Sequence, residues 1–173
     1  MPYFIVAALL IALDQWVKWW TTAAFSAPAP GLSTTVDSAK ALWPGVVELT
    51  RVHNYGAGWS SFSGQRWFLA AVSILVVGLV LFVVFKRFVR HPLGLIAATL
   101  ISAGGIGNLI DRVRLGYVVD MFHFEFWPSY PVFNVADICI VLGGLLAAIY
   151  YLFLYEKHDA RKPLNGDADT PTE

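Results

Sequence analysis

Apolar positions along this chain collect in four long runs, about residues 3 to 25, 67 to 86, 93 to 110 and 133 to 155. Each is close to the roughly 20 residues with which a helix crosses a ~30 Å hydrocarbon core, so each predicts a transmembrane helix. The second run, WFLAAVSILVVGLVLFVVF, holds no ionisable group and asks for nothing beyond lipid and neighbouring helices. The third contains the small residues of AGGIGN, which let helix backbones approach closely. The first has no Lys or Arg before Lys18 and is interrupted by Asp14, Gln15 and Lys18. That pattern is unlike a cleaved signal peptide and reads as a permanent helix.

Between the runs the pattern changes. Residues 26 to 66 open irregularly with APAPG and later hold GVVELTRVHN, whose alternation and β-branched residues predict a strand. A short sheet resting on the membrane is expected there. Residues 156 to 173 are polar, with Pro and Gly and no apolar period, and predict a disordered tail behind a four-helix domain of residues 1 to 155.

Lysine and arginine in short loops set the expected orientation. Lys86, Arg87 and Arg90 lie between runs two and three, and Lys157, Arg161 and Lys162 follow run four, so both segments and both termini are expected in the cytoplasm. The loops 26 to 66 and 111 to 132 then emerge together on the outer face. Trp19, Trp20, Trp67, Trp127 and Tyr130 fall near that boundary, and Tyr150, Tyr151 and Tyr155 near the inner one, as aromatic belts do.

Composition sharpens this picture. Of 173 residues 57% are apolar and only 14% charged, against about a quarter charged in soluble domains. A formal net charge of zero and the lack of a basic block give no reason to expect nucleic acid. The single cysteine, Cys139, excludes an internal disulfide and sits between isoleucines, as a small packing residue would.

Against this background the polar residues inside the runs need reasons. Asp14 and Lys18 are four apart and share a helix face, where they can pair; either alone would cost roughly 3 kcal/mol at the bilayer centre. Asn108, Asp111 and Arg112 share a face at the end of run three, and Asn134 and Asp137 repeat the spacing at the start of run four. Asp120 lies in the outer segment before it. The topology brings Asp120 and Asp137 to one depth although 17 positions separate them, with Asn54, Asn108, Asp111, Arg112 and Asn134 at the same level.

The bland reading is mutual satisfaction: Asp14 with Lys18, Asp111 with Arg112, asparagines as glue between helices. It is weaker for Asp120 and Asp137, which have no Lys or Arg within four residues. Two adjacent carboxylates share one proton, so one serves as base and the other as acid, and the pair can drive water onto a peptide carbonyl. Serine chemistry has less support, because no G-x-S-x-G frames a serine. A metal on Asp120, His123 and Glu125 lacks H-E-x-x-H, so no metal or other cofactor is expected. A transporter or proton pathway through the buried carboxylates is the main alternative, and a non-catalytic assembly factor the second.

Four blocks occur in order: DQWVKWW at 14 to 20, HNYGAGWS at 53 to 60, GGIGNLIDRVRLGYVVDMFHF at 104 to 124 and FNVAD at 133 to 137. With this topology the chain closely resembles the lipoprotein signal peptidases, the type II signal peptidases of bacteria. The resemblance implies an all-α membrane protein of four transmembrane helices with a small extracytoplasmic β-cradle and a short interfacial helix. It implies a monomeric aspartic endopeptidase of the inner membrane that cuts prolipoproteins just before a diacylglyceryl-modified cysteine. Asp120 and Asp137 match the catalytic pair. Asp14, Lys18, Asn54, Gly56, Asn108, Arg112 and Asn134 match residues around the site, and Asp111 a supporting residue held by an arginine. Members of the family usually read N-x-G-A-A-F-G in the second block, where this chain has Gly58, Trp59 and Ser60 after Ala57.

Overall fold

Helix formation over the apolar runs leaves the backbone satisfied from within, the condition for crossing lipid. The computed structural model describes residues 2–29, 40–58 and 61–160. Among them, α1 (Pro2–Ala24), α2 (Arg66–Phe85), α3 (Pro92–Arg114) and α4 (Val135–Phe153) are long and apolar enough to span a membrane. Three strands, β1 (Lys40–Trp43), β2 (Val47–Asn54) and β3 (Val118–Phe124), form an antiparallel sheet in the order β1-β2-β3. A single turn of helix, α5 (Tyr155–His158), follows α4. The interfacial helix implied by the resemblance would lie in the loops between spans, where residues 30–39 and 59–60 are outside the described ones.

Helix α3 is the hub, packed against α1, α2 and α4. Its small residues make this possible. A Cβ on Gly104 would collide with the Ala136 backbone carbonyl and meet Ile140 Cγ1 at 2.7 Å, and one on Gly107 would meet Asp14 Oδ2 at 2.6 Å. From the other side, a Cβ on Gly143 would meet the Ile101 backbone nitrogen at 2.9 Å. Gly104→Ala therefore pushes α3 from α4 against backbone that cannot rotate away. The expected cost is about 1–3 kcal/mol, read as a lower melting temperature in detergent; an unchanged melt would contradict this packing.

The strand expected within residues 45 to 54 is β2. The other two were not expected, for different reasons. All four residues of β1 are exposed. The first four of β3 are buried on both faces, which erases the period-two pattern. The sheet covers one end of the bundle through Phe25, Leu49, Val119 and Met121. Arg51 fastens it to α1, its Nη1 donating to the Thr22 and Phe25 carbonyls at 3.2 and 3.1 Å, groups that a helix C-terminus leaves unpaired.

Three boundaries differ from the sequence reading. Helix α3 runs to Arg114 instead of ending near residue 110, because Asp111 is buried against protein and the last turn closes through Leu115 and Gly116 N–H on the Asp111 carbonyl. Gly116, at φ 88°, supplies the left-handed stop. Helix α4 begins at Val135, with Asn134 as its cap.

The tail does not begin at 156. Asp159 is buried and accepts from Tyr150 Oη at 2.6 Å, from the Arg90 and His91 backbone at 3.0 Å each, and from Arg90 Nε at 3.2 Å. These donors outweigh the effect of burial and hold its carboxyl below the usual range. Tyr150 is correspondingly buried and not part of a belt. The remainder of the expected disordered tail, residues 161–173, lies outside the described residues.

Candidate active site

A turn and a cap bring the two distant aspartates together. Between β3 and α4 the chain doubles back: the Phe133 carbonyl accepts from Met121 and Phe122 N–H at 3.0 and 2.9 Å, and Phe133 N–H returns a bond to Phe122 at 3.0 Å. This lays the start of α4 beside β3. Asn134 caps α4 in a reciprocal box, its Oδ1 accepting from Asp137 N–H at 2.9 Å while Asp137 Oδ2 accepts from Asn134 N–H at 3.1 Å. The same Asn134 side chain donates to Asp120 Oδ1 at 2.7 Å. One fully buried residue thus touches both carboxylates.

Three asparagines surround the pair, and each is oriented by a group that can only donate. Lys18 Nζ donates to Asn108 Oδ1 at 3.0 Å, so Asn108 Nδ2 faces Asp137 Oδ1 at 2.8 Å. Gly56 N–H donates to Asn54 Oδ1 at 2.9 Å, leaving Asn54 Nδ2 for Asp120 Oδ2 at 2.9 Å. The Asp137 backbone fixes Asn134 in the same way. Arg112 holds the Gly56 turn through its Nη2 on the Gly56 carbonyl at 3.1 Å.

Lys18 is the buried counter-charge. Its Nζ lies 2.9 Å from Asp14 Oδ2 and 2.9 Å from Asp111 Oδ2. The other oxygen of Asp14 accepts the Ala136 N–H of α4 at 2.9 Å, and Asp111 Oδ2 also accepts Val119 N–H of β3 at 3.2 Å. The pairing expected of Asp14 and Lys18 is present. Asp111, expected to be held by an arginine or paired with Arg112, is held by Lys18 instead, because Arg112 turns away to Gly56.

Every residue that the resemblance matches to the site joins this network: Asp14, Lys18, Asn54, Gly56, Asn108, Asp111, Arg112, Asp120, Asn134 and Asp137. Among the described residues no ion pair includes Asp120 or Asp137. Both line a cavity of about 340 Å³, together with Asn54, Asn108 and Arg112. Burial, and then the nearby Asp137 carboxylate, push the Asp120 carboxyl up to about 7 against the bonds from Asn54 and Asn134.

Some members were not expected. Gln15 bridges Asp14, the Gly107 carbonyl and Asp111 at 3.2, 3.2 and 3.1 Å; as an amide inside an apolar run it carried a signal, read only as an interruption. Leu69, Val72 and Ser73 of α2 and the segment Tyr130–Phe133 wall the cavity, a role their composition does not announce. Gly58 lines it too, while Trp59 and Ser60 lie outside the described residues. The residues weighed as metal ligands have other partners: Asp120 accepts from Asn54 and Asn134. His123 is taken by Glu48 at 2.7 Å and Glu125 by Gly45 N–H at 2.7 Å. Burial, then Arg51, lowers the His53 imidazole to about 4, and it stacks on Tyr117.

Four apolar helices carrying a small sheet and a carboxylate-lined cavity at one end define a multi-pass membrane enzyme. Two solved bacterial membrane enzymes share the architecture, one with a TM-score of 0.78 at 24% identity over 93% of this chain and 94% of its own. The other has a TM-score of 0.74 at 25% identity over 88% and 93%. The sequence profile described as signal peptidase (SPase) II matches residues 6–153. The lipoprotein signal peptidase of Enterococcus faecalis is 37% identical over 95% of this chain and 94% of its own length, and that of Streptococcus thermophilus 42% identical over 84% and 88%. This chain belongs to the signal peptidase II family and is a peptidase.

Proposed function

We propose that the protein is an aspartic endopeptidase that removes signal peptides from diacylglyceryl-modified prolipoproteins, cutting just before the lipidated cysteine. It sits as a monomer in the bacterial inner membrane with both termini in the cytoplasm, and its site opens near the outer face. The observation that carries this reading is the shared cavity, in which Asp120 and Asp137 meet through Asn134 with no cation paired to either among the described residues. The names of the relatives supply the substrate class.

In the reaction we propose, Asp120 holds the shared proton and Asp137 is the base. Asp137 takes a proton from water as its oxygen attacks the scissile carbonyl carbon, and Asp120 gives its proton to the carbonyl oxygen. Asp137 then passes its proton to the leaving amine while Asp120 recovers one from the collapsing diol. No covalent intermediate forms. A diacylglyceryl group holds the substrate in the bilayer at roughly 0.8 kcal/mol per methylene, which keeps the scissile bond at the depth of the dyad.

The deciding experiment incubates purified protein in detergent with a prolipoprotein carrying the diacylglyceryl group and with its unmodified form. Cleavage of the lipidated form alone is expected; equal cleavage of both would remove the lipid-anchored reading.

The raised Asp120 carboxyl also sets a pH profile. Above about pH 7 the shared proton is lost, both groups are charged and the acid is missing, so cleavage falls by about tenfold per pH unit. Stability carries the same sign: the folded state holds the extra proton, so this contribution is complete below the unfolded carboxyl value and disappears as pH rises through about 7. Rate and melting temperature measured from pH 5 to 9 check both, and a rate that climbs steadily to pH 9 would contradict the assignment of the acid.

A further inference from the structure

At the end of the bundle opposite the sheet, α2 ends in a reverse turn of unusual composition. Phe88 N–H donates to the Val83 carbonyl and Arg87 N–H to the Val84 carbonyl, each at 3.0 Å, the double bond pattern that closes a helix through a left-handed residue. That residue is customarily glycine. Here it is Arg87, at φ 57°, a conformation that side chains rarely adopt. Strain of this kind points to a use for the side chain it displays.

Arg87 has basic neighbours. It shares a cleft of about 460 Å³ with Lys86, Phe88, Arg90, Tyr155 and Asp159. Arg90 is anchored by Nε on Asp159 while its side chain stays 62% exposed; the acid aims the guanidinium and offsets its charge, which leaves Lys86 and Arg87 as the cleft's positive excess. Asp159 itself is 1% exposed at the side chain, its oxygens taken by Tyr150, Arg90 and His91. Among the described residues neither Lys86 nor Arg87 pairs with an acid.

The cleft continues into an apolar groove. Phe88 and Tyr155 also border a groove of about 540 Å³ that runs between α2, α3 and α4 past Leu79, Val83, Ala98, Ile101, Ala147 and Tyr151. Charge at the rim and bare hydrocarbon below match the two halves of one ligand. We propose that this cleft and groove bind a single anionic phospholipid of the surrounding bilayer. Its phosphate lies among Lys86, Arg87 and Arg90, and one acyl chain lies in the groove. A zwitterionic lipid brings its own cation against these three and is disfavoured. A soluble phosphate leaves the groove unfilled.

Native mass spectrometry of the full chain in detergent tests this with dioleoylphosphatidylglycerol, dioleoylphosphatidylcholine and glycerol 3-phosphate as probes. One phosphatidylglycerol is expected to stay bound, with phosphatidylcholine and glycerol 3-phosphate weaker by on the order of tenfold or more. Lys86→Gln combined with Arg87→Gln should reduce phosphatidylglycerol binding by a similar factor. Ala98→Phe, which fills the groove, should reduce it without touching the basic residues. Arg87→Gly separates function from fold: lipid retention falls while the melting temperature rises, because glycine relieves the left-handed turn. Equal retention of the two lipids, binding unchanged in the double variant, or glycerol 3-phosphate held as tightly as phosphatidylglycerol would each overturn the proposal.

Discussion

Asp137→Asn is expected to slow prolipoprotein cleavage by on the order of a thousandfold or more, and Asp120→Asn by a similar factor, because an amide can neither accept the water proton nor return one to the leaving group. The two losses should not add. In the proposed mechanism each aspartate works only through the other, so the double variant is expected to be no slower than the worse single one. Structure is a separate matter. All four carboxylate oxygens of the pair accept a bond from an asparagine. An amide nitrogen in place of one oxygen therefore faces another donor, at about 1–3 kcal/mol for the lost bond. Melting curves should show that modest loss and no more, while single-turnover cleavage shows the large one. Near-normal cleavage in both variants would sink the paired-acid mechanism.

Lys18→Met is expected to strike the fold more heavily than any change to Asp120 or Asp137. The ammonium is the shared partner of Asp14 and Asp111, and all three groups are nearly inaccessible to solvent. Its removal leaves two buried carboxylates without a cation, at about 3–5 kcal/mol. The damage spreads along defined routes. Asp14 ties α1 to the start of α4 through Ala136, and Asp111 ties α3 to β3 through Val119. Asn108 also loses the donor that sets its amide, so Asp137 loses an oriented partner. A large fall in melting temperature is expected together with a fall in cleavage that outlasts rescue of the fold at low temperature. Lys18→Arg should not restore either, since a planar fork cannot replace a point charge among three oxygens. A Lys18→Met protein that melts like the parent would show that the cluster is not under this electrostatic load.

The parts of this architecture legible in the sequence are those whose causes are local. An uninterrupted apolar run is sufficient for a spanning helix, and a three- or four-residue spacing is sufficient to put Asp14 with Lys18 and Asn134 with Asp137 on one face. The glycines of α3 announced close packing because no other residue makes room for a backbone. Gln15 was legible in principle, as an amide within lipid-facing sequence, yet its three partners come from α1 and α3 and no spacing rule predicts them. Asp111 shows the reverse error: Arg112, its neighbour in sequence, points elsewhere, and its cation arrives from another helix. The order of Asp159 was hidden for the same reason, since its donors sit about 70 positions upstream and in α4.

Local rules therefore specified which segments enter the bilayer and which polar side chains have to be accounted for within it. Pairings among those side chains belong to the packed molecule, because a hydrogen bond or ion pair depends on distances between helices that no segment encodes alone. The turn at Phe133, which lays β3 beside the start of α4, is the step that brings two carboxylates to one cavity. Without it Asp120 and Asp137 are two acids at similar depth; with it they line one cavity and are joined through Asn134.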